Sequence, residues 1–235
     1  EQAVVASCTA MTLVQDLIDE KKRSKDAFDE RQRQRDILRY QKWYSRLLQF
    51  RGALYTRSKK WGLAILDLTS AIDADPVGAS LYLERGKLWI KNDRIESAIR
   101  DFSTCLKLDS TCFRARFHRA RAYLMDKDVD RAFRDFDALL DDSNVVVNRG
   151  EIFFMRGCSL IVKQDYRKAV EEFTHAIEES PRNGTYYFNR GNALVDLGEH
   201  DLALHDFTAV MELDSSLQLV AKLNRANCYS SIGMT

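Results

Sequence analysis

The sequence predicts an all-α solenoid of stacked helix hairpins, and three observations carry that prediction. Alanines recur at Ala64, Ala98, Ala132, Ala169 and Ala203, separated by 34, 34, 37 and 34 residues. Each is followed four positions on by a large apolar side chain (Leu68, Phe102, Phe136, Phe173, Phe207) and preceded twelve positions back by a small one (Gly52, Gly86, Ala120, Gly157, Gly191). Apolar residues within each period fall at helical spacing, as in Ile95, Ala98, Ile99, Phe102 and Leu106, and strands of alternating polarity are hard to find. The only prolines, Pro76 and Pro181, both stand twelve residues after an alanine, where a second helix would stop.

The first 44 residues lie outside the period and predict a charged N-terminal helical extension, 1–44. Between Asp19 and Asp36 it holds seven bases and six acids with one large apolar residue, Phe28. Asp19–Arg23 and Asp29–Arg33 are spaced for i,i+4 ion pairs. No Gly or Pro occurs before Gly52, so a long helix can run into the first repeat. The apolar positions Met11, Leu13, Val14, Leu17 and Ile18 require burial against something the sequence does not identify. Five copies of the period follow at 45–78, 79–112, 113–149, 150–183 and 184–218, with a partial sixth at 219–235. In each, a small residue facing a small residue would let two antiparallel helices approach, and the aromatic would fill the seam one turn on. One hairpin cannot bury its apolar face alone, so neighbours must stack. The third copy is lengthened around Val145, Val146 and Val147, a loop that either packs or is presented to a partner.

A 34-residue helix-hairpin period with small, alanine and aromatic residues at these offsets resembles the tetratricopeptide repeat (TPR) family. The resemblance covers residues 45–235. It implies a right-handed α-solenoid whose first helices line a concave groove that holds a peptide or helix of a partner protein. On that implication the inward positions are Leu83, Lys87, Phe117, Arg121, Phe154, Cys158, Phe188, Asn192, Leu223 and Asn227. The strip is aromatic and aliphatic, basic in the middle copies and amide-bearing near the end, and it suits an apolar segment with some acidic residues. Phe117, Phe154 and Phe188 either line the groove or are covered by neighbouring helices. The carboxylate clamp by which some members hold chaperone tails does not assemble: copy two has Lys87 but Leu83 where a lysine is wanted, copy five has Asn189 and Asn192 but Phe188, and copy three has Arg114 and His118 without proper partners before them.

Arginine precedes the small residue in all six copies (Arg51, Arg85, Arg119, Arg156, Arg190, Arg225), and an acid precedes the aromatic slot at Asp67, Asp101, Asp135, Glu172 and Asp206. Recurring with one period, they are expected to form one ion pair per repeat rather than a row of anion binders.

Net charge of +1 argues against nucleic acid as partner, and no apolar run is long enough for a membrane span. The four histidines, His118, His175, His200 and His205, follow no metal spacing, and there is no Gly-rich phosphate loop. Cys158 with His175 is the one imaginable nucleophile and base. No cofactor, metal or catalytic centre is expected. Five scattered cysteines without a CxxC read as reduced thiols, which predicts an intracellular, cytoplasmic protein. Starting at Glu1 and stopping inside a sixth copy, the sequence reads as part of a longer chain. The function expected is a non-enzymatic adaptor or scaffold. The alternative is a structural component of a cytoskeletal or ciliary assembly, contacting neighbours through its outer face and N-terminal helix.

Overall fold

The computed structural model describes residues 2–23, 30–141 and 148–233. The Val145–Val147 loop, Phe28 and the Asp29–Arg33 pair lie outside them. Among the described residues there are twelve helices and no strand: the chain is an all-α solenoid of helix hairpins. It divides into two compact units, Glu1–Asp128 and Val129–Thr235. The first holds α1 (Gln2–Arg23), α2 (Glu30–Arg57), α3 (Trp61–Ala74), α4 (Ala79–Lys91), α5 (Ile95–Leu108) and α6 (Phe113–Met125). The second holds α7 (Val129–Leu140), α8 (Arg149–Val162), α9 (Tyr166–Glu179), α10 (Gly184–Asp196), α11 (His200–Leu213) and α12 (Gln218–Ser231).

The periodic residues become the core. Ala64, Ala98, Ala132, Ala169 and Ala203 are fully buried, as are the rings of Phe102, Phe136, Phe173 and Phe207. In the first unit Leu83, Ala98, Phe102, Cys105, Ala115 and Ala122 form one cluster, joining α4 and α5 to α6. In the second, Ala203, Phe207, Val210, Ala221 and Cys228 do the same for α11 and α12. Within each unit, then, a hairpin shares its core with the helix that follows it.

Close approach has a different cause from the one the sequence suggests. The sequence reading pairs small with small; the structure sets small against large. A Cβ built on Gly86 would come within 2.5 Å of the Phe102 ring, and one on Gly157 within 2.5 Å of the Phe173 ring. At these two positions glycine is demanded because the edge of the phenyl ring occupies the place where a methyl group would otherwise sit. Gly52 meets no ring: the nearest atom to its Cβ would be the Ala64 backbone oxygen at 3.5 Å, as the sequence reading of small beside alanine expects, with Leu68 at 3.7 Å.

The hairpin turns also share one geometry. Lys59, Asp93, Lys127, Gln164 and Gly198 all have positive φ, between 55° and 78°. The amide of the following residue donates to the carbonyl five positions back, as in Arg94 to Trp89 (2.9 Å) and Glu199 to Leu194 (2.8 Å). This is a Schellman-type stop. Of these only Gly198 enters the left-handed region without steric cost; Lys59 and Gln164 are held there by the packing of the helices on either side.

The N-terminal segment forms a long hairpin. Helix α2 runs unbroken across residue 44, as the absence of Gly and Pro predicts, and α1 packs beside it through Ser7, Met11 and Ile18. Its partner is thus the Leu48 and Ile65 core of α2 and α3. Arg51 Nη1 donates to Cys8 Sγ (3.0 Å) just as Arg85 Nη1 donates to Thr69 Oγ1 (3.1 Å). Against α2, then, α1 takes the place that a preceding second helix takes against α4. Ala3, Ser7, Cys8, Ala10 and Met11 stand at the offsets of Ala64, Leu68, Thr69, Ala71 and Ile72. The Asp19–Arg23 side-chain pair does not form: Arg23 Nε donates to the Asp19 backbone carbonyl (3.1 Å), while the Asp19 carboxylate accepts from Gln15.

Ring contact makes the glycines separable by experiment. Gly86→Ala and Gly157→Ala are each expected to lower unfolding free energy by about 2–3 kcal/mol through overpacking. Gly52→Ala should gain up to about 1 kcal/mol from helix propensity. Urea titrations followed by circular dichroism measure all three; equal losses would mean the ring is not what requires glycine.

Candidate partner-binding face

Which cations are available to a partner depends on which are consumed by the fold. Arg51, Arg85 and Arg190 each grip an aspartate of their own hairpin with two hydrogen bonds, 2.8 and 2.6 Å to Asp67, 2.8 and 2.8 Å to Asp101, 2.9 and 2.8 Å to Asp206. The aspartates are buried. Hydrogen bonding to them, with the charge attraction behind it, raises the pKa of all three guanidinium groups, so they stay charged at any accessible pH. The third nitrogen of the fork reaches back to the preceding second helix: to Cys8, Thr69 and Thr174 (3.0–3.1 Å). Arg119 and Arg225 make the same backward bond, to Ser103 at 3.2 Å and Thr208 at 3.5 Å. These arginines are structural.

The fourth copy departs from this pattern. Glu172 replaces aspartate, and Arg156 meets it through Nη2 alone (2.8 Å) while Nη1 turns to Asp137. Arg156 Nε and Glu172 Oε2 are left buried without partners. Burial pushes the Glu172 carboxyl above its ordinary range, lost hydration outweighing the attraction of Arg156.

The candidate groove residues fall into two sets, one per unit. In the first unit, Leu83 is only 7% exposed and belongs to the α4–α6 core, so it packs the hairpin rather than lining a surface. Lys87 is half-buried and pairs with Glu84 at 2.9 Å. Phe117 lies edge-on to His118 (5.9 Å) and beneath the Arg121 guanidinium (5.8 Å). His118 in turn stacks on the core ring of Phe102 (5.7 Å). Lys87, Lys91, His118, Arg121 and Met125 line a cleft of about 210 Å³ between α4 and α6. Burial, with Lys87 and Arg121 beside it, pushes the His118 pKa down to about 4. The ring is therefore neutral at physiological pH. Lys91, His118 and Met125 fall outside the two inward repeat offsets, so periodicity alone does not point to them.

In the second unit, Phe154 stacks on Tyr186 (5.1 Å) and tilts against Phe173 (5.8 Å), and Phe188 meets Phe207 edge-on (6.1 Å). Both rings are half-buried, sharing their area between core and surface. Asn192 accepts a hydrogen bond from Asn224 at 2.9 Å. Cys158 packs with Leu160 and Phe173, and burial pushes its thiol up to about 11. It is therefore a thiol rather than a nucleophilic thiolate at neutral pH. His175 turns instead toward Glu178 (3.2 Å) and the Phe153 ring (5.3 Å). Leu223 (61% exposed) and Asn227 stand open on α12. Among the described residues, no three His, Cys, Asp or Glu side chains gather as a metal would need, and no helix is long and apolar enough to cross a membrane.

Known proteins place the chain among relatives of this architecture. The tetratricopeptide repeat family profile matches residues 90–144 and 154–215. DnaJ homolog subfamily C member 7 of Homo sapiens is 35% identical over 95 residues, 40% of this chain and 19% of that protein. Small glutamine-rich tetratricopeptide repeat-containing protein 2 of Saccharomyces cerevisiae is 34% identical over 68 residues, 29% of this chain and 20% of that protein. The chain thus matches about a fifth of the length of these relatives. Among solved structures, PilW, a type IV pilus biogenesis factor, superposes with TM-score 0.68 at 14% identity, covering 81% of this chain and 87% of PilW. MamA gives TM-score 0.65 at 19% identity, covering 74% and 93%. YrrB, described as a TPR protein with an unusual peptide-binding site, gives 0.57 at 24% identity, covering 71% and 84%. At these identities the structures bear on the fold.

Depressed basicity of His118 has a sign that titration can read. The unfolded chain binds the proton at 6.5 and the folded chain only near 4, so stability is full above 6.5 and is lost as pH falls toward 4. With partial exposure discounted, that loss is about 2 kcal/mol. His118→Phe keeps a flat ring on Phe102 and removes the titration. Its urea midpoint should fall correspondingly less than the parent's between pH 6.5 and pH 4.

Proposed function

As the chain belongs to the tetratricopeptide repeat family, we propose that it acts as a non-enzymatic adaptor, holding a peptide or helix of a partner protein on its first helices. The observation that carries this reading is the α4–α6 cleft. There Arg121 is exposed over Phe117, and Lys87 and Lys91 rim the same cavity. A guanidinium stacked on an aromatic face presents its edge to an incoming carboxylate while the ring offers apolar contact. The neutral His118 adds no repulsion toward apolar groups and closes the wall. An apolar segment carrying acidic residues satisfies both kinds of surface. In the second unit, the exposed parts of Phe154 and Phe188, with Asn192, Leu223 and Asn227 on the same set of first helices, extend the same kind of reading to an apolar and amide-recognising segment. YrrB, a neighbour in fold, offers a precedent for peptide binding on such a scaffold.

Display selection of random peptides on the immobilised chain tests this. The parent is expected to enrich sequences that combine carboxylates with aromatic or branched side chains. Lys87→Glu with Arg121→Glu should weaken those peptides by about tenfold or more, as removal of a hot-spot pair does. Enrichment of basic peptides, or indifference to the charge reversal, would remove the basis of the proposal. A nucleic-acid role would show instead as affinity for oligonucleotides that falls steeply with salt.

A further inference from the structure

Two of the five cysteines meet. Cys105, in the last turn of α5, is fully buried in the cluster with Leu83, Ala98 and Phe102, and Cys112 packs against that cluster from the residue that precedes α6. Their thiols are hydrogen-bond partners. The turn between them is held at both ends by one residue. The Asp109 amide donates to the Cys105 carbonyl (2.8 Å), and the Asp109 carbonyl accepts from the Cys112 amide (3.2 Å). The Asp109 carboxylate accepts in turn from the amide and the hydroxyl of Thr111 (3.0 and 2.7 Å). Both side chains are thereby brought to one point at the junction of the second and third hairpins.

The other cysteines keep different company. Cys8 Sγ receives the Arg51 guanidinium, Cys158 packs with Leu160 and Phe173, and Cys228 lies with Phe207 and Val210. Within the pair, access is unequal. Cys105 has no exposed surface, whereas Cys112 is half-buried and stands outside the helix, where no preceding helical turn confines its side chain. Burial, with Cys112 beside it, pushes the Cys105 thiol up to about 12, so an oxidant arriving from solution meets Cys112 first. A covalent S–S bond is about 2.05 Å long, and thiols already in hydrogen-bond contact close the remaining distance by rotation of the freer side chain, Cys112.

We propose that Cys105 and Cys112 are a dithiol oxidised by hydrogen peroxide, closing a disulfide that locks the end of the second hairpin to the start of the third. The Cys112 sulfur, its proton released, attacks one peroxide oxygen; the O–O bond breaks, and the departing hydroxide takes up that proton as water. Cys112 is now a sulfenic acid. The Cys105 sulfur attacks the Cys112 sulfur, the S–S bond forms, and the hydroxyl of the sulfenic acid leaves with the Cys105 proton as a second water. Two thiols and one peroxide thus give one disulfide and two waters, sulfur being oxidised and peroxide oxygen reduced. Because the second sulfur is already in contact, the sulfenic acid is consumed before further peroxide can carry it to the irreversible sulfinic acid. None of the groove side chains takes part, so this chemistry is independent of what the chain binds.

In the test, the reduced intact chain is treated with hydrogen peroxide under native conditions, free thiols are blocked with N-ethylmaleimide, and an unreduced tryptic digest is read by mass spectrometry. Trypsin cuts after Lys107, between the two cysteines. The expected product is therefore peptide 101–107 joined to peptide 108–114, separated again by dithiothreitol, from a chain that stays monomeric on a non-reducing gel. Cys105→Ala should abolish the link and leave Cys112 as a sulfenic acid that dimedone traps. Cys112→Ser should leave Cys105 an unoxidised thiol. By closing a short loop, the bond should also raise the urea midpoint of the parent, a rise that Cys112→Ser does not share. The unsubstituted chain decides the matter even where a variant fails to fold. A link that forms only after denaturation in urea overturns the proposal. So does Cys112 driven to sulfinic acid in the parent while Cys105 is still blocked by maleimide, or disulfides that join separate chains instead.

Discussion

A buried carboxylate needs a partner, and in this chain the partner ties three helices together. Asp67, Asp101 and Asp206 sit on second helices with almost no exposure, a placement that costs several kcal/mol for an unpaired charge. Each is met by both arms of an arginine on the facing first helix, and the remaining nitrogen of that arginine bonds a hydroxyl or thiol one hairpin back. The same three-way junction is built at Arg51 with Cys8, at Arg85 with Thr69 and at Arg190 with Thr174. Apolar contacts between hairpins are broad and forgiving of small slides. The planar fork is not, so it fixes the register in which one hairpin meets the next.

That constraint divides the cations into two populations. Arg51, Arg85 and Arg190 are spent on the fold and face buried aspartates. Arg39, Arg46, Arg57 and Arg121 instead stand on first-helix faces beside Trp43, Phe50 and Phe117. A charge reversal on the exposed set need not therefore disturb the core. The fourth copy shows what happens when the fit is lost. One additional methylene at Glu172 turns a two-pronged grip into a single bond and leaves two buried groups unpaired.

Packing also overrides local preference. Lys59 and Gln164 hold a backbone conformation that glycine would take freely, because the helices on both sides are already fixed by their core side chains and alanines. The same dominance of the ring explains the glycines: Gly86 and Gly157 are small on account of Phe102 and Phe173, and when Leu68 replaces the ring the vacated volume becomes a cleft rather than a tighter hairpin.

The sequence by itself determined the fold class and the paired arginines. Small, alanine and aromatic residues returning at fixed offsets admit one solution, stacked hairpins, and a charge that recurs with its opposite is a structural pair. It did not reveal that glycine answers to a phenyl ring, that Leu83 turns into the core, or that the N-terminal helix stands in a second-helix position. Nor did it show that a cleft opens beside Gly52 and Leu68 at the first hairpin. Those depend on which side of a helix a neighbour covers, a matter of a hundred degrees per residue. Periodicity sets the spacing of side chains along a helix, whereas only packing decides which of them remain in contact with water.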